Sequence, residues 1–260
     1  MSLQFIMGNS GSGKSYCLYD TVVREAIENP DKNYLVIVPE QFTMQTQKDL
    51  CLAHPKGGIM NIDVLSFGRL AYRVFEEVGQ DARVVLDDEG KNLVLRKIAG
   101  ECEKDLKVFK GNLKKQGYIS EVKSVLSEFA QYGVDFERLD DFMKEVPPES
   151  YLHYKLDDIR TIYEKFEEYL SEKYITKEEM LDVLSDAVPY SDILKGSVVA
   201  MDGFTGFTPV QNRLIGELFS VCEKVMITVT MDGRENPYVY EHPYLDFCAR
   251  QTDGHISYED

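Results

Sequence analysis

Basic residues are scarce in this sequence. Lysine and arginine together number 29 in 260 residues, against 45 aspartates and glutamates, so the formal net charge is -16. Proteins that hold nucleic acid by themselves are usually basic, because much of their affinity comes from neutralising phosphates. The charge therefore argues against a free-standing DNA-binding protein. A contact with DNA would need a local basic patch or a partner that holds the DNA. The sequence offers one short basic run that could touch a phosphate backbone, Lys107, Lys110, Lys114 and Lys115, but a solvated helix face is its simpler interpretation.

Paired cysteines and clustered metal ligands are also missing. The five cysteines lie far apart, no C-x-x-C pair occurs, and the four histidines are equally dispersed. A disulfide framework and a zinc site are therefore not indicated, and we expect reduced thiols. The first residues show no basic segment followed by a long apolar run, so we expect no secretory leader, and no apolar run approaches membrane-spanning length. We accordingly expect a cytoplasmic protein with no membrane partner.

A glycine-rich loop dominates the first fifteen residues. A mostly apolar run of strand type, residues 3–7, leads into a segment that fits G-x-x-x-x-G-K-[ST], and a helical pattern follows from Tyr16 to about Glu28. Strand, loop and helix in this order are the context in which the motif predicts a phosphate-binding loop. Glycines allow backbone N–H groups to close around phosphate oxygens, and the helix directs its positive dipole end to the same place. The predicted nucleotide-binding residues are Gly8, Asn9, Ser10, Gly11, Ser12, Gly13, Lys14 and Ser15.

Two side chains of this loop have predicted roles. We expect Lys14 to reach the β- and γ-phosphates of a nucleotide and the Ser15 hydroxyl to bind Mg²⁺. The alternative interpretation is a glycine-rich turn with one exposed lysine and no ligand.

The hydrophobic pattern divides the chain into three parts. Residues 1–84 alternate strand and helix patterns, including a near-continuous apolar run at 34–38. Residues 85–190 show helical spacing and no convincing strand, and the α/β pattern returns in 191–260 with an apolar run at 196–201. The sequence therefore predicts an α/β fold: a parallel sheet domain built from the first and third parts, with an all-helical insertion between them. We expect the sheet domain to be incomplete at its C-terminal end.

Three helix boundaries are predicted from capping residues. Ser66 is a good N-cap for a helix that Gly79 would close. Thr208, followed by a proline and by Gln211, fits a capping box with proline at the first helical position. The segment 176–179 fits a second capping box.

Asp202 is the candidate for the second half of the nucleotide site. A phosphate-binding loop is usually complemented by an acidic residue at the end of another buried strand, which holds the Mg²⁺ water shell. Asp202 directly follows the apolar run 196–201. The next residue is Gly203, which cannot act as the base that polarises an attacking water. We therefore expect nucleotide binding with weak or no hydrolysis, the alternative being that Asp202 is only a turn residue.

Three stretches resemble the UvrD/RecB-type superfamily-1 helicases. The loop at 8–15 resembles their motif I, and the segment 63–74 resembles the segment that follows their second helix. The segment 202–211 is similar to their motif II, D-E-F-Q-D-T-N-x-x-Q. It keeps the aspartate, the phenylalanine and the last glutamine, but has glycine, threonine and glycine where the motif has glutamate, glutamine and aspartate. The resemblance implies a P-loop NTPase (RecA-like) sheet domain with a long helical insertion.

The chain is more similar to the AddB (RexB) family, which forms one half of the bacterial AddAB helicase–nucleases. The resemblance rests on residues 1–8, 36–43 and 202–204 and covers essentially all of the chain, which looks like the N-terminal piece of a protein several times longer. It implies an ATP- and Mg²⁺-binding domain that does not itself unwind DNA, bound to an AddA-type subunit and contacting DNA through that complex. The family acts in double-strand-break processing, and its AddB member contributes to recognition of the Chi sequence. The family's nuclease domain and iron–sulfur cluster lie near the far C-terminus, so we expect neither in this chain.

Two other functions remain open at this point. A P-loop kinase for a small metabolite would need several arginines around two sets of phosphates, and only Arg69, Arg73 and Arg213 lie near the candidate motifs. The other possibility is an interaction module whose phosphate-binding loop is vestigial and whose role is to bind the AddA-type subunit.

Overall fold

Five parallel strands form the central sheet in this computed structural model, which describes residues 2–79, 83–112, 115–170 and 173–231. The described strands of the protein are β1 (Ser2–Gly8), β2 (Tyr34–Ile37), β3 (Ile62–Leu65), β4 (Val84–Leu86), β5 (Tyr174–Thr176), β6 (Val198–Met201) and β7 (Lys224–Thr230). The order in the central sheet is β1-β7-β6-β2-β3, and a separate sheet pairs β4 with β5. The predicted α/β class with a parallel sheet is confirmed.

Two of the three inner strands, β2 and β6, have the apolar sequence that is typical of a parallel sheet. All four residues of β2 and all four of β6 are buried, and the two strands pair in parallel with Tyr34 opposite Val198. A strand covered on both faces needs a near-continuous apolar sequence, which is the pattern on which both strands were predicted. The edge strand β1 pairs in parallel with β7, with Ser2 opposite Lys224.

Helices connect and cover these strands. Gly13 is the N-cap residue of the first helix. The third helix begins after Ser66, whose Oγ accepts a hydrogen bond from the Arg69 N–H at 3.4 Å, and it ends at Gly79, which has a left-handed conformation. The capping box of Thr208 and Gln211 is present, so the predicted caps around the third and ninth helices are confirmed. The helices are α1 (Lys14–Glu28), α2 (Thr43–Ala53), α3 (Phe67–Val78), α4 (Asp88–Glu101), α5 (Gln116–Tyr132), α6 (Phe136–Glu145), α7 (Tyr151–Leu170), α8 (Lys177–Ala187) and α9 (Pro209–Val221).

The chain divides into two compact units. One is drawn from residues 1–80 and 181–260 and contains the five-stranded sheet; the other is drawn from residues 81–180. Apolar side chains of α1, β2 and β6 pack together in the first unit. None of the described helices is long and apolar enough to cross a membrane.

The middle unit is not entirely helical, so that part of the prediction was wrong. Strands β4 and β5 pair in parallel, with Val84 opposite Tyr174. Each strand has only three residues, which is too short for an alternating pattern to be visible in the sequence. Apolar side chains of α7 form part of the core of this unit, among them Ile159, Ile162 and Phe166. The capping box at 176–179 is also present, because Glu179 Oε2 accepts from the Thr176 N–H at 2.8 Å and Thr176 Oγ1 accepts from the Glu179 N–H at 3.2 Å.

The short basic run lies in this middle unit. Lys107 pairs with Asp157 at 2.8 Å, and the Lys115 ammonium donates to Asn112 Oδ1 at 3.2 Å. Lys114 lies outside the described residues. One carboxylate and one side-chain amide of the protein already contact two of these lysines, which fits the simpler interpretation of a solvated surface.

Candidate nucleotide-binding site

The glycine-rich loop connects β1 to α1, and its backbone explains two of its glycines. Gly11 and Gly13 have φ angles of 75° and 91°, in the left-handed region that residues with a Cβ rarely adopt. Gly13 is also the N-cap residue of α1, and it has no side chain that could cap the first turn. The N–H groups at the start of α1 are therefore directed into the loop without a side-chain acceptor, which is the arrangement that favours an anion.

Gly8 is required for a different reason. A Cβ added at this position would collide with the Ser12 hydroxyl and lie 3.2 Å from the Ser12 Cβ. The Ser12 N–H also donates to the Asn9 carbonyl at 3.1 Å, so the chain turns back over the end of β1. Backbone conformation explains the glycines at positions 11 and 13, whereas at Gly8 the cause is the close approach of Ser12.

The Lys14 ammonium lies across the loop. Its Nζ donates to the carbonyl oxygens of Gly8 and Asn9, at 2.9 Å and 2.8 Å. An ammonium has three donor protons, so one remains for an oxygen of a ligand. The loop thus holds a positive charge beside the N-terminal end of α1, where the helix dipole has the same sign.

Asp202 lies directly after β6 and is nearly enclosed, with only 6% of its surface exposed. Its Oδ1 accepts from the Thr228 hydroxyl at 2.6 Å, and its Oδ2 accepts from the Tyr19 hydroxyl at 2.7 Å. Tyr19 belongs to α1, four residues after Ser15. The structure therefore connects the helix of the glycine-rich loop with the predicted acidic residue through Tyr19, which the sequence analysis missed. The only signal in the sequence was its one-turn spacing from Ser15.

Gly203 has a left-handed backbone, with φ at 78°. A Cβ at this position would lie 3.5 Å from the Phe42 ring and 3.5 Å from Pro39. The space is sufficient for a small group, but the backbone conformation is strained for any residue except glycine. A glutamate at position 203, as in the helicase motif, would therefore be strained in this loop.

Four phenylalanines follow the carboxyl ends of neighbouring strands, and the sequence analysis did not recognise them as a group. We call them the aromatic cluster: Phe42 after β2, Phe67 after β3, and Phe204 and Phe207 after β6. The rings of Phe67 and Phe204 lie 5.4 Å apart between centroids, and those of Phe204 and Phe207 lie 5.0 Å apart. Phe42 borders Gly203 and is 46% exposed. Three rings of the cluster, those of Phe67, Phe204 and Phe207, therefore pack on one another, and the ring of Phe42 is accessible beside Gly203.

A cleft of about 570 Å³ opens beside Ser15. Its size is within the usual range for pockets that hold small ligands. It carries aromatic, apolar and carboxylate groups, and its lining residues are Ser15, Tyr16, Tyr19, Asp20, Asp49, Leu52 and Ala53.

A divalent cation at this site would need ligands from outside the protein. Within the described residues there is no group of three or more histidine, cysteine, aspartate or glutamate side chains that could hold a metal ion. Ser15 and Asp202 together offer hydroxyl and carboxylate oxygens, which suit Mg²⁺. Because Mg²⁺ usually keeps several waters and takes the rest of its ligands from substrate phosphates, this small donor set fits a nucleotide-bound Mg²⁺ and does not fit a permanently bound metal.

Comparison with known proteins identifies the family. Residues 5–247 match the family model described as "ADDB, N-terminal". The chain belongs to the AddB N-terminal family. Similar curated proteins are named as the B subunit of an ATP-dependent helicase/deoxyribonuclease. The protein from Lachnoclostridium phytofermentans is 48% identical over 254 residues, which is 97% of this chain and 22% of that protein. The protein from Clostridium tetani is 37% identical over 235 residues, covering 90% of this chain and 20% of that protein.

The relatives are much longer than this chain. A further member, from Thermoanaerobacter pseudethanolicus, is 38% identical over 98% of this chain, and the matched part is 22% of its length. The chain therefore spans about a fifth of the length of these AddB-family relatives.

Proposed function

We propose that this AddB-family domain binds ATP with Mg²⁺ at the glycine-rich loop. The observation that supports this most directly is the loop itself: two left-handed glycines, the uncapped start of α1 and the Lys14 ammonium converge on one small space. The backbone from Asn9 to Lys14 would surround the phosphates and Lys14 would neutralise their charge. Ser15 and Asp202 would hold the metal, directly or through its waters. When bound, Mg²⁺ would neutralise phosphate charge.

We propose further that this domain hydrolyses ATP weakly or not at all. Gly203 supplies no carboxylate to orient an attacking water, and its backbone conformation disfavours one. Hydrolysis in P-loop NTPases also relies on an arginine that stabilises the transition-state charge. Within the described residues, Arg213 is paired with Asp182 at 2.7 Å and Arg73 with Asp63 at 3.0 Å, so both are already occupied.

At the level of the whole protein, we propose that this domain is part of the AddB component of a helicase/deoxyribonuclease. The names of the relatives support this, as does the match over nearly all of the chain. The partner would be an AddA-type subunit, and the complex would process DNA double-strand breaks in the cytoplasm. Nuclease activity and an iron–sulfur cluster would belong to other parts of the protein. Family membership is the reason that we prefer this proposal to a small-metabolite kinase.

The test is binding of a fluorescent ATP analogue to the purified protein with Mg²⁺. We expect saturable binding that is reduced at least tenfold in Lys14→Ala. Binding should be unchanged in Lys195→Ala, which removes an exposed lysine just before the amino end of β6, whereas the loop follows the carboxyl end of β1. A phosphate-release assay on the same samples measures turnover. Equal binding by wild type and Lys14→Ala, or no binding by a folded wild type, would contradict the proposal and favour a vestigial loop.

A second function, contact with single-stranded DNA, is suggested by the aromatic cluster. Exposed aromatic rings stack with bases, and one stacked base contributes about 1–3 kcal/mol. Phe42 offers such a ring beside the Asp202 loop. This would be the domain's contribution to DNA handling, including recognition of Chi, within the complex.

The DNA proposal is tested with the whole helicase/deoxyribonuclease complex. Fluorescence anisotropy would measure binding of a labelled single strand, with and without Chi. We expect Phe42→Ala to weaken binding about tenfold or more and Phe142→Ala, which removes a similarly exposed ring from the middle unit, to leave it unchanged. Equal affinities for the two variants would exclude the aromatic cluster as the DNA-binding surface.

A further inference from the structure

Tyr19 connects three elements of the sheet-containing unit. Its Oη donates to Asp202 Oδ2 at 2.7 Å and lies 3.2 Å from Thr46 Oγ1 on α2. Tyr19 and Ser15 are four residues apart on α1, so their side chains share one face of the helix. Both also line the cleft beside the loop. The hydroxyl therefore connects the helix of the predicted metal-binding serine to the predicted metal-binding aspartate.

The protons of this network have one consistent arrangement. A carboxylate only accepts hydrogen bonds, so the single O–H of Tyr19 is directed to Asp202. The Thr46 hydroxyl must then donate to the Tyr19 oxygen. An ordinary phenol is protonated throughout the neutral range, so Tyr19 remains a donor there.

The two hydroxyls fix the carboxylate without saturating it. Thr228 holds Oδ1 at 2.6 Å and Tyr19 holds Oδ2 at 2.7 Å, both short distances that are typical of hydrogen bonds to a charged oxygen. Each carboxylate oxygen has two acceptor positions, so one remains on each. Those positions can accept from water molecules in the shell of a nucleotide-bound Mg²⁺. Rotation of the carboxylate is restricted from both sides, by α1 and by β7.

We propose that Tyr19 is a positioning residue that holds Asp202 at a fixed place relative to Ser15, so that both can contact one Mg²⁺ shell. The inference rests on the proposed nucleotide binding and concerns its metal dependence alone. Tyr19 does not touch the phosphates in this scheme; it acts through Asp202. Without its hydroxyl, Oδ2 loses a fixed donor and α1 is no longer tied to the carboxylate.

The experiment measures the dissociation constant of a fluorescent ATP analogue in EDTA and in Mg²⁺. The ratio of the two constants, the metal ratio, reports how much the metal strengthens binding. We expect Tyr19→Phe to lower the metal ratio about tenfold, as loss of a hydrogen bond to a charged group would, while the constant in EDTA changes less than about twofold. Tyr190→Phe, which removes an exposed tyrosine hydroxyl elsewhere, is the matched control and should keep the wild-type ratio.

A second pair of variants separates positioning from general support of the fold. Asp202→Asn should lower the metal ratio at least as much as Tyr19→Phe does, and adding Tyr19→Phe to it should cause no further loss. If Tyr19→Phe keeps the wild-type metal ratio, the inference is overturned while the proposed ATP binding stands. If it weakens binding equally in EDTA and in Mg²⁺, Tyr19 supports only the loop and the inference is again overturned. Absence of binding by the wild type overturns both.

Discussion

Glu167 is a carboxylate whose burial should make the middle unit less stable as the pH rises. It lies on α7 and lines a cavity of about 10 Å³, large enough for roughly one water, together with Lys91, Lys123 and Glu178. Burial, and secondly the charge of Glu179, raise the pKa of Glu167 to about 7, from 4.5. The native state thus binds a proton in a pH range in which the unfolded chain has already released it.

The sign and size of the effect follow from linkage. Below pH 4.5 the group is protonated in both states, and above pH 7 it is charged in both, so the native state loses stability as the pH rises between these values. The full shift corresponds to roughly 3 kcal/mol at about 1.4 kcal/mol per pKa unit. Because the side chain keeps contact with solvent, screening reduces this, and we expect about 1–2 kcal/mol.

The perturbation is Glu167→Gln, which has the same shape and no charge. Urea unfolding at pH 8 should show the variant more stable than wild type by about 1–2 kcal/mol, and at pH 5 the difference should nearly vanish. Glu145→Gln, at an exposed position of α6, is the control and should stay within about 0.5 kcal/mol of wild type at both pH values. A variant that is no more stable at pH 8 than at pH 5, relative to wild type, would refute the reasoning.

Three other substitutions test local features. Gly203→Glu should lower the free energy of unfolding in urea by about 1–3 kcal/mol, because the backbone at position 203 has a φ of 78°. The variant should not release phosphate from ATP. Rapid ATP turnover by this variant would contradict the account of the loop. Lys91→Met should lower the free energy of unfolding by about 3 kcal/mol, because it leaves the Glu178 carboxylate without its ion-pair partner where the two side chains are only 3% and 13% exposed. The double variant Lys91→Met/Glu178→Leu should recover part of that stability. No recovery would contradict the pairing argument. Thr208→Ala should cost about 1 kcal/mol through loss of the cap at Gln211, and a thermal midpoint equal to that of wild type would show that the cap contributes little.

The parts of the fold that could be predicted are those that local sequence determines. The apolar runs of β2 and β6 have to be buried on both faces, and the caps at Ser66 and Thr208 satisfy N–H groups a few residues away. Strand β4 could not be predicted with the same rules, since its three residues are stabilised by pairing with a segment about ninety residues later.

The candidate site shows the same division. The glycine-rich loop is continuous in sequence, so its motif could be read directly, although the structural requirement at Gly8 became clear only from the position of Ser12. The contact between Tyr19 and Asp202 joins residues 183 positions apart, and no spacing rule connects them. Gly203 likewise lies beside Phe42, a residue far from it in the sequence, and no spacing rule connects the two.

The pairing of β1 with β7 has a consequence for the order of events during synthesis. The strand that carries the glycine-rich loop, β1, leaves the ribosome before the other described strands. Its neighbour in the sheet, among those strands, is β7, which is more than two hundred residues later in the chain. At about 5–20 residues per second, translation of that interval takes on the order of 10–40 s. During this time β1 is an unpaired apolar segment, whereas the helices of the middle unit can already pack on one another. The glycine-rich loop is thus synthesised well before the strand that pairs with β1, so a nascent chain arrested before β7 should lack a formed loop.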